Sequence, residues 1–482
     1  MPMLRNIKVW NTDEIIDVKV PLAADALVEG VRSGTDGFDD VEIDATGLTL
    51  APGFADPHVH FRDPGQTYKE SMVSGCAASA SGGYTDVLIM PNTVPAMDGE
   101  PVTDPEAPGA REVLGVGRTD VIDFLQHYAT DHDVTLPVRY DLCVCASKGR
   151  AGREATELER WRRHMPGVDD QAKDADQLAH PVTAISDDGS AVTPETIDDV
   201  FALAKASGLT LIEHCEHHDT GAVNDGPVSR ALGVPGIPED TELKIVERDI
   251  AKARETGVHV HFQHVSTAIS FDAIRAAKAE GLPITCETAP HYLSLSDEAL
   301  LKYGTLAKMN PPLRSEADRK ATCEAVADGT VDLLATDHAP HTMAEKELGF
   351  LDAPNGIIGL ECAYGVCHAT LVDGGYISDE RLIELMSVAP MRLMGHEATD
   401  VTALLDRETD ASREPDAKRV LDLGAVKDTD GIGLVVLDTA AAWTVDPEAF
   451  HSKARNTPFG GWDVTGRPLA TIIGGAMVFS RL

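Results

Sequence analysis

Positively charged residues are scarce in this sequence. Lys and Arg total 41 against 79 Asp and Glu, which gives a formal net charge of −38 over 482 residues. So acidic a surface repels nucleic acids and anionic membranes, and we expect neither as a partner. The acidic residues are spread over the whole length, which excludes a simple acidic tail. This distribution suits a cytosol of molar salt, where the Debye length is only about 3 Å, and predicts a halophilic source.

Long apolar runs and paired cysteine motifs are also missing. No apolar run approaches the roughly 18 residues of a membrane span, and the first ten residues do not look like a signal peptide. The eight cysteines are scattered, none forms a C-x-x-C pair, and most lie in apolar stretches. These features predict free, buried thiols in a reducing cytoplasm.

Eight apolar, strand-like runs alternate with amphipathic helical stretches through the middle of the chain. This alternation is typical of parallel βαβ units, and eight units predict a (β/α)8 barrel of the TIM type within the α/β class. The runs cover residues 53–60, 85–90, 138–145, 182–187, 210–214, 258–264, 284–288 and 331–336. The clearest helical stretches between them cover residues 194–207, 242–255 and 268–280.

The two ends of the chain contain short strand-like runs with turn signals instead. These runs cover residues 7–9, 15–20, 41–43, 434–437, 470–473 and 476–479. We expect the two ends to combine in one small β-sandwich. The predicted division is residues 1–50 for its N-terminal part, 51–395 for the barrel, and 396–482 for an acidic insertion and the C-terminal part.

Three further segments do not fit the repeating unit. Residues 148–178 form an apparent insertion with a charged helix predicted over 154–164, and residues 396–418 are acidic and aperiodic. Residues 343–356 follow the last predicted barrel strand, and we expect them to form a mobile loop over the barrel mouth.

Two histidines stand two residues apart at the end of the first predicted barrel strand. Side chains at i and i+2 share one face of a strand, so His58 and His60 can bind one metal ion together. A His-x-His pair alone is weak evidence, because surface and core histidines are common. Further candidate ligands at other strand ends would strengthen the interpretation.

Such candidates follow four other predicted strands. They are Asp187 or Asp188, His214, His264 and Asp337. Active sites of these barrels lie at the C-terminal ends of the strands, so the candidates should meet there. A mixture of imidazoles and carboxylates suits zinc or a similar metal, with enough ligands for two ions. The alternatives are a buried hydrogen-bonded histidine at His214, an Asp-Gly turn for one of the paired aspartates, and a helix N-cap at Asp337.

The sixth predicted strand contains three histidines. His261 and His264 differ in parity, so both cannot face the barrel interior. We therefore assign His264 to the mouth and expect His259 and His261 to face the helix layer.

Polar residues near the same strand ends are candidates for substrate binding. Arg62 should point into the site because it lies two residues beyond His60, and Asn92, Asn310 and His341 follow the second, seventh and eighth predicted strands. A guanidinium with amide donors suits a substrate carboxylate. The alternative for Arg62 is a salt bridge, for example with Asp63.

The expected chemistry is hydrolysis of a carbonyl compound. A metal pair can lower the pKa of water to about 7 and polarise a carbonyl group. A neighbouring carboxylate can take the water proton and deliver it to a leaving nitrogen. Asp337 is the candidate for this catalytic role.

Over nearly its whole length the sequence resembles the dihydroorotases of the cyclic amidohydrolase superfamily. The matching motifs are PGFADPHVHFRDPG, MPNT, SDDG, EHCE, HVST, KMNPPLR, ATDHAPH and NTPF. Any one is weak, but together they are highly specific. The resemblance implies a zinc-dependent barrel with a β-sandwich built from both termini. It also implies reversible interconversion of N-carbamoyl-L-aspartate and L-dihydroorotate in pyrimidine synthesis.

The resemblance also implies roles for individual residues. His58, His60 and Asp337 would hold one zinc ion, His214 and His264 a second, and Asp188 would bridge them. The substrate would be bound by His60, Arg62, Asn92, Asn310, His341, Asn355 and Gly356.

Two departures from relatives bear on these roles. Family members commonly have Phe where this chain has Asn355, which puts the loop contacts in question. Many relatives bridge their metals with a carboxylated lysine, but residues 183–188 contain none, so an aspartate bridge is the better interpretation. Some relatives of the aspartate type work with one metal, so one or two Zn²⁺ ions are expected.

Two other functions compete with this one. An allantoinase or hydantoinase would hydrolyse a cyclic amide that lacks the free carboxylate for Arg62. A non-catalytic structural relative would typically have lost metal ligands, whereas every expected ligand is present here. As partners we expect the small-molecule substrate and a second copy of the chain in a homodimer.

Overall fold

The computed structural model describes residues 1–29, 41–216, 221–408, 418–426 and 431–482. Its strands are β1 (Met3–Val9), β2 (Ile15–Lys19), β3 (Leu22–Val28), β4 (Glu42–Asp44), β5 (Thr49–Pro52), β6 (Phe54–Val59), β7 (Tyr84–Ile89), β8 (Arg139–Val144), β9 (Val182–Ile185), β10 (Thr210–Glu213), β11 (Val223–Asn224), β12 (Gly236–Ile237), β13 (Val260–Phe262), β14 (Ile284–Thr288), β15 (Leu333–Leu334), β16 (Val420–Asp422), β17 (Gly433–Thr444), β18 (Asp463–Ile473) and β19 (Ala476–Ser480).

The α-helices lie mainly between the barrel strands. They are α1 (Met72–Ser81), α2 (Ala110–Gly115), α3 (Val121–Gln126), α4 (Tyr128–His132), α5 (Leu158–Trp161), α6 (Ala175–Ala179), α7 (Ile197–Ser207), α8 (Pro227–Leu232), α9 (Asp240–Thr256), α10 (Ala268–Ala279), α11 (Pro290–Ser294), α12 (Ala299–Tyr303), α13 (Glu316–Ala327), α14 (Met343–Lys346), α15 (Ala363–Cys367), α16 (Asp379–Met386), α17 (Val388–Leu393) and α18 (Val401–Glu408). Among the described helices, none is long and apolar enough to cross a membrane.

Eight parallel strands form the predicted barrel. Their order is β6-β7-β8-β9-β10-β13-β14-β15, and each predicted strand-like run overlaps one of them. The ring closes just beyond β15, where Val59 bridges His338 and the His60 amide donates to the His338 carbonyl at 3.0 Å. Both faces of the strands are buried, which explains why they read as near-continuous apolar runs.

Small and medium side chains fill the barrel interior. Ala55, Leu88, Cys143, Ala184 and Ile212 belong to one buried cluster contributed by successive strands. Their sequence neighbours point outward and pack under the surrounding helices. This alternation leaves the polar residues at the strand ends free to converge on the barrel mouth.

The two ends of the chain combine in one unit, as predicted, and their strands form a single mixed sheet. Its order is β16-β2-β1-β5-β17-β18-β19-β3, with β4 beside β1. The long strand β17 pairs antiparallel with β5, so the C-terminal strands join the N-terminal ones directly. Apolar side chains from distant strands of the sheet meet in one core that also includes α18. The domain division at residues 50 and 395 stays a prediction.

The helix predicted over residues 154–164 is shorter than expected. Only α5 and a following 3-10 turn at Arg162–His164 are helical. Ala155 instead forms an isolated bridge with Ser147, and the Thr156 amide donates to the Ala146 carbonyl at 2.9 Å. Tertiary pairing therefore holds the start of this segment extended. The segment 396–418 was predicted to be acidic and aperiodic, but its described part contains the helix α18 (Val401–Glu408). Residues 409–417 lie outside the described residues.

Candidate active site

Every predicted site residue except His58 lines one cavity of about 350 Å³ at the C-terminal ends of the barrel strands. The backbone turns sharply where the strands end. Arg62, His264 and Asp337 all have left-handed φ values of 61°, 36° and 48°. Such conformations are unusual for residues other than glycine and recur at functional sites. Elsewhere, a larger cavity of about 660 Å³ lies beside Trp10 and residues 397–402, where no grouping of metal ligands is found among the described residues.

Six imidazoles and carboxylates meet at the bottom of the cavity. We call them the His/Asp cluster: His58, His60, Asp188, His214, His264 and Asp337. Their ligand atoms form two overlapping groups, one of His58, His60 and Asp337 and one of His58, Asp188 and His264, with all atoms of a group within 4.8 Å. The His214 Nδ1 lies 2.8 Å from the His264 Nε2, which brings the remaining histidine to the same point.

Asp188 lies among the histidines of the His/Asp cluster. Its Oδ1 is 3.3 Å from the His58 Nε2 and 3.5 Å from the His214 Nδ1, while its Oδ2 is 3.3 Å from the His60 Nε2. Burial alone would raise the pKa of Asp188, but the charges of His58 and His60 hold it well below its usual range. The carboxylate is therefore ionised and has one oxygen toward each side of the cluster.

The cluster fits a divalent metal ion. The His58 Nε2 and the Asp188 Oδ1 lie 3.3 Å apart, but they form no hydrogen bond with each other or with another group, although burying such atoms unpaired is costly. Imidazole nitrogens and carboxylate oxygens are donors that zinc accepts. Residues 182–188 contain no lysine, so the carboxylate at the centre is the aspartate itself.

Asp187 has a different environment from its neighbour. Its Oδ1 accepts from the Ser147 amide at 2.9 Å, and its Oδ2 accepts from the Ser147 hydroxyl. The first aspartate of the pair therefore holds a loop, while Asp188 belongs to the cluster.

A buried carboxylate behind the cluster was not predicted. Glu287 on β14 contacts the His58 Nδ1 at 2.7 Å and the His261 Nε2 at 3.1 Å. Burial opposes ionisation of Glu287, but the charge of His58 and the two histidine hydrogen bonds lower its pKa to about 2. A carboxylate on the outer nitrogen of a metal-binding histidine fixes the orientation of its ring. An acid in a buried strand facing the candidate site is the signal that could have revealed it.

The expectation that His261 faces the helix layer was wrong. His261 is fully buried, lies in register with Ile212 of the barrel interior, and binds Glu287. The parity argument failed because β13 ends at Phe262, and the backbone turns at His264. Both histidines can therefore point inward.

Two predicted amide side chains contact the cluster. The Asn92 Oδ1 accepts from the His60 Nδ1 at 2.8 Å, and the Asn310 Nδ2 lies 3.0 Å from the His214 Nε2. Asp337 lies 3.1 Å from the His60 Nε2 through its Oδ1. Burial would raise the pKa of Asp337, but the nearby His58 and His60 lower it to about 2, so the carboxylate is ionised at neutral pH.

Arg62 points into the cavity. Its Nε is buried without a hydrogen-bond partner, and its Nη2 lies 3.4 Å from the His341 Nε2. Asp63 does not pair with it: the Asp63 carboxylate accepts from the Met72 amide at 3.2 Å. Burial lowers the pKa of Arg62 to about 10, which leaves the guanidinium charged at neutral pH. The site thus presents a desolvated cation with a spare donor.

His341 is held as a neutral ring beside that cation. Burial and the charges of Arg62 and Lys69 push its pKa far below the usual range. The Lys69 Nζ lies 3.3 Å from its Nδ1, and the Arg62 Nη2 lies 3.4 Å from its Nε2. Two cationic side chains therefore flank the ring at the wall of the cavity.

The loop at Asn355 and Gly356 completes the wall. A Cβ at Gly356 would lie 2.6 Å from the Ala339 carbonyl oxygen and 2.7 Å from the His341 Cδ2, and its φ is 149°. Only glycine fits there. Lys346 supports the loop, because its Nζ donates to the Pro354 and Gly356 carbonyls at 2.9 and 3.0 Å.

Two further residues were missed as parts of the site. Arg150 lines the cavity, but it lies in an irregular segment whose sequence carries no signal of its position. Asn456 reaches the cavity wall from the C-terminal part of the chain. Its NTPF motif carries no signal of these contacts.

Residues 49–401 match the Amidohydrolase family. The chain belongs to the amidohydrolase family. Among curated proteins, this amidohydrolase is 38% identical over 481 residues to a dihydroorotase of Geobacter metallireducens, covering 97% of this chain and 96% of the relative. It is 36% identical to a dihydroorotase of Enterococcus faecalis, with 92% of each chain covered.

Solved structures share the fold. An L-hydantoinase from Arthrobacter aurescens superposes with a TM-score of 0.69 at 22% identity, covering 100% of this chain and 96% of the other. A dihydropyrimidinase from Brevibacillus agri gives 0.70 at 20% identity, covering 99% and 95%. At this identity the likeness establishes the barrel architecture of this amidohydrolase and not its substrate.

Proposed function

We propose that this amidohydrolase is a dihydroorotase, which interconverts L-dihydroorotate and N-carbamoyl-L-aspartate in pyrimidine synthesis. The observation that carries the proposal is the Arg62 guanidinium, whose unpartnered Nε lies in the same cavity as the His/Asp cluster. A cyclic amide with a carboxylate would satisfy both. Identities of 34–38% to curated dihydroorotases over most of the chain support the same activity.

The His/Asp cluster would hold one or two zinc ions. His58, His60 and Asp337 would bind one ion, the other two histidines of the cluster a second, and Asp188 would lie between them. A bound ion of this kind acidifies water and polarises a carbonyl group. The two unpartnered ligand atoms of the cluster support this assignment.

In the hydrolytic direction, water adds its oxygen to the ring amide carbonyl carbon, and the carbon–nitrogen bond breaks. The Asp337 carboxylate takes a proton from the water and delivers it to the departing nitrogen. The remaining proton is lost from the new carboxyl group at neutral pH, so the organic anion gains one negative charge. At neutral pH the Asp337 carboxylate is ionised, as this first transfer requires.

Substrate binding would use the other cavity residues. Arg62 and the neutral His341 would bind the carboxylate that both substrates carry, with Asn92 beside them. Asn310 and the loop at Asn355 and Gly356 would close the remaining wall. His60 would contribute both to metal binding and to the substrate pocket.

The rival functions have less support. An allantoinase or hydantoinase would leave the Arg62 cation buried without an anion, and the hydantoinase structures share only about one fifth of residues with this chain. A structural relative without activity would not need a complete His/Asp cluster.

We further propose a halophilic source, a cytoplasmic location and a homodimer. The net charge of −38 supports the first. The eight cysteines are all free and buried, which suits a reducing compartment. Light scattering in molar KCl would test the homodimer.

The decisive experiment measures turnover of dihydroorotate and of hydantoin, a cyclic amide without a carboxylate, by the metal-loaded protein. We expect the protein to interconvert dihydroorotate and N-carbamoyl-aspartate in both directions and to hydrolyse little hydantoin. Arg62→Met should weaken dihydroorotate binding by about 10- to 100-fold, because a charge-assisted hydrogen bond is worth roughly 1.5–3 kcal/mol. Equal losses for both compounds would mean that Arg62 is structural, and hydantoin turnover alone would overturn the proposal.

A further inference from the structure

A second arginine, besides Arg62, forms part of the cavity wall. Arg150 lines the cavity and lies half-buried at the end of the 3-10 turn Lys148–Arg150. Its Nη1 donates to the Asp188 backbone carbonyl at 2.7 Å and lies 3.5 Å from the Ser190 hydroxyl. The guanidinium therefore contacts the backbone of Asp188, the central aspartate of the His/Asp cluster.

This arginine lacks a carboxylate partner among the described residues. The chain has nearly two acidic residues for each basic one, and arginines such as Arg118, Arg248 and Arg419 form ion pairs at 2.5–2.9 Å. The two guanidiniums that line the cavity, Arg62 and Arg150, form none in the described part of the chain. An anionic ligand with two charges would satisfy both.

The chain builds a rigid support for Arg150. The Asp187 carboxylate binds the Ser147 amide and hydroxyl, and the Ser147 Oγ accepts from the Gly152 amide at 2.7 Å. The Gly149 amide donates to the Asp98 Oδ2 at 2.7 Å. Arg150 itself has a left-handed φ of 55°, a conformation that such surrounding contacts must hold.

Gly189 leaves the space that the guanidinium uses. A Cβ at this position would lie 2.8 Å from the Arg150 Nη1, and the residue has a φ of 78°. The approach of Arg150 to the cluster thus depends on the glycine after the central aspartate. The charges of the two arginines also interact: burial lowers the pKa of Arg62 to about 10, and Arg150 contributes to the shift.

We propose that Arg150 binds the carboxylate that ring opening creates, and so recognises the open dicarboxylate rather than the ring. This inference rests on the proposed function. Dihydroorotate carries one carboxylate, for which Arg62 is available, whereas N-carbamoyl-aspartate carries two. The second forms at the His/Asp cluster, beside the Asp188 backbone that Arg150 contacts.

A kinetic pattern separates this role from others. The reaction equilibrium is fixed, so any variant must lower kcat/KM by the same factor in both directions. Arg150→Met should lower kcat about tenfold for dihydroorotate with an unchanged KM, because the contact forms only as the ring opens. For N-carbamoyl-aspartate the KM should rise about tenfold with an unchanged kcat, because the contact is already present in the bound substrate.

Control variants make the pattern specific. Arg153→Met removes the same charge from an exposed position in the same segment and should leave all four constants unchanged. Arg62→Met should raise the KM for both substrates. Arg150→Lys keeps the charge but loses the planar guanidinium. It should therefore lower kcat for dihydroorotate and raise KM for N-carbamoyl-aspartate, as Arg150→Met does, but by smaller factors. Metal content must equal that of the wild type in each variant compared.

The outcomes are distinguishable. A fall of kcat in both directions with both KM values unchanged would show that Arg150 only positions Asp188 and would overturn the inference. A KM rise for both substrates alike would do the same, because Arg150 would then bind the shared carboxylate. If Arg150→Met does not fold, the kcat and KM values of Arg150→Lys for the two substrates decide between these outcomes. Absence of dihydroorotate turnover by the wild type would instead overturn the proposed function.

Discussion

Neighbouring residues at the end of β9 have opposite surroundings. Asp188 is ringed by histidines, whereas Asp187 is bound to the Ser147 amide and hydroxyl. Both are buried carboxylates in the same motif, so residue type alone could not separate them. What separates them is the direction of each side chain as the strand ends.

Asp188→Ala should therefore lower metal content more than Asp187→Ala. The first variant removes a ligand from the centre of the His/Asp cluster, and the second removes support for the loop that carries Arg150. Metal analysis of the two purified variants checks this. A protein that loses metal with Asp187→Ala and keeps it with Asp188→Ala would contradict the assignment.

Asp337→Asn should abolish turnover in both directions while the protein stays folded. The amide cannot accept the proton from water, and loss of a general acid–base group typically costs about 10²- to 10⁴-fold. Steady-state rates in both directions, with circular dichroism as the folding control, test the expectation. Turnover near the wild-type level would rule out Asp337 as the catalytic carboxylate.

At the scale of elements, the C-terminal part of the chain supports the barrel mouth. The Asn456 Oδ1 accepts from the His341 amide at 3.0 Å, and its Nδ2 donates to the Ala339 and Gly356 carbonyls, both at 3.0 Å. One fully buried side chain thus joins the two loops that carry His341 and Gly356. The β-sheet domain and the substrate pocket are coupled through this residue.

Asn456→Asp should raise the KM for dihydroorotate about tenfold and lower kcat less. It loses both donors and brings a carboxylate against two carbonyl oxygens, and each lost hydrogen bond is worth about 0.5–1.5 kcal/mol. Thr457→Val in the same motif is the control and should leave KM near the wild-type value. Equal effects of both variants would mean that the segment acts only through stability.

The elements themselves were predictable where burial alone determines them. Each barrel strand is an apolar run buried on both faces, so all eight could be found from the sequence. The same patterning gave the strand ends, and with them the meeting point of His58, His214 and Asp337. The start of the helix predicted at 154–164 was wrong because pairing with Ser147 overrides the local helical pattern.

Contacts between segments that are far apart in the sequence could not be predicted. Glu287 supports His58 across 229 positions, and Arg150 reaches Asp188 from an irregular loop. Neither contact follows from periodicity or spacing. His261 shows a related limit of the prediction. The alternation of side chains along a strand predicts which way a side chain points only as far as the residue where the strand ends.

For the whole molecule, the unusual contribution to stability is repulsion between negative charges. The excess of 38 negative charges lies on one compact chain, and only some acids are paired with arginine or lysine. At about 0.1 M salt the Debye length is near 10 Å, so neighbouring carboxylates repel one another; at about 1 M it is near 3 Å. Self-repulsion of this kind destabilises the compact state.

The thermal midpoint should therefore rise steeply from dilute buffer to molar KCl, with partial unfolding or inactivation at low salt. Salt also strengthens burial of apolar groups in ways unrelated to charge, so sucrose, an excluded but uncharged solute, is the control. We expect a much larger rise in KCl than in sucrose. A midpoint that stays flat up to molar KCl would refute the halophilic interpretation, and equal rises in the two solutes would refute charge screening as its cause.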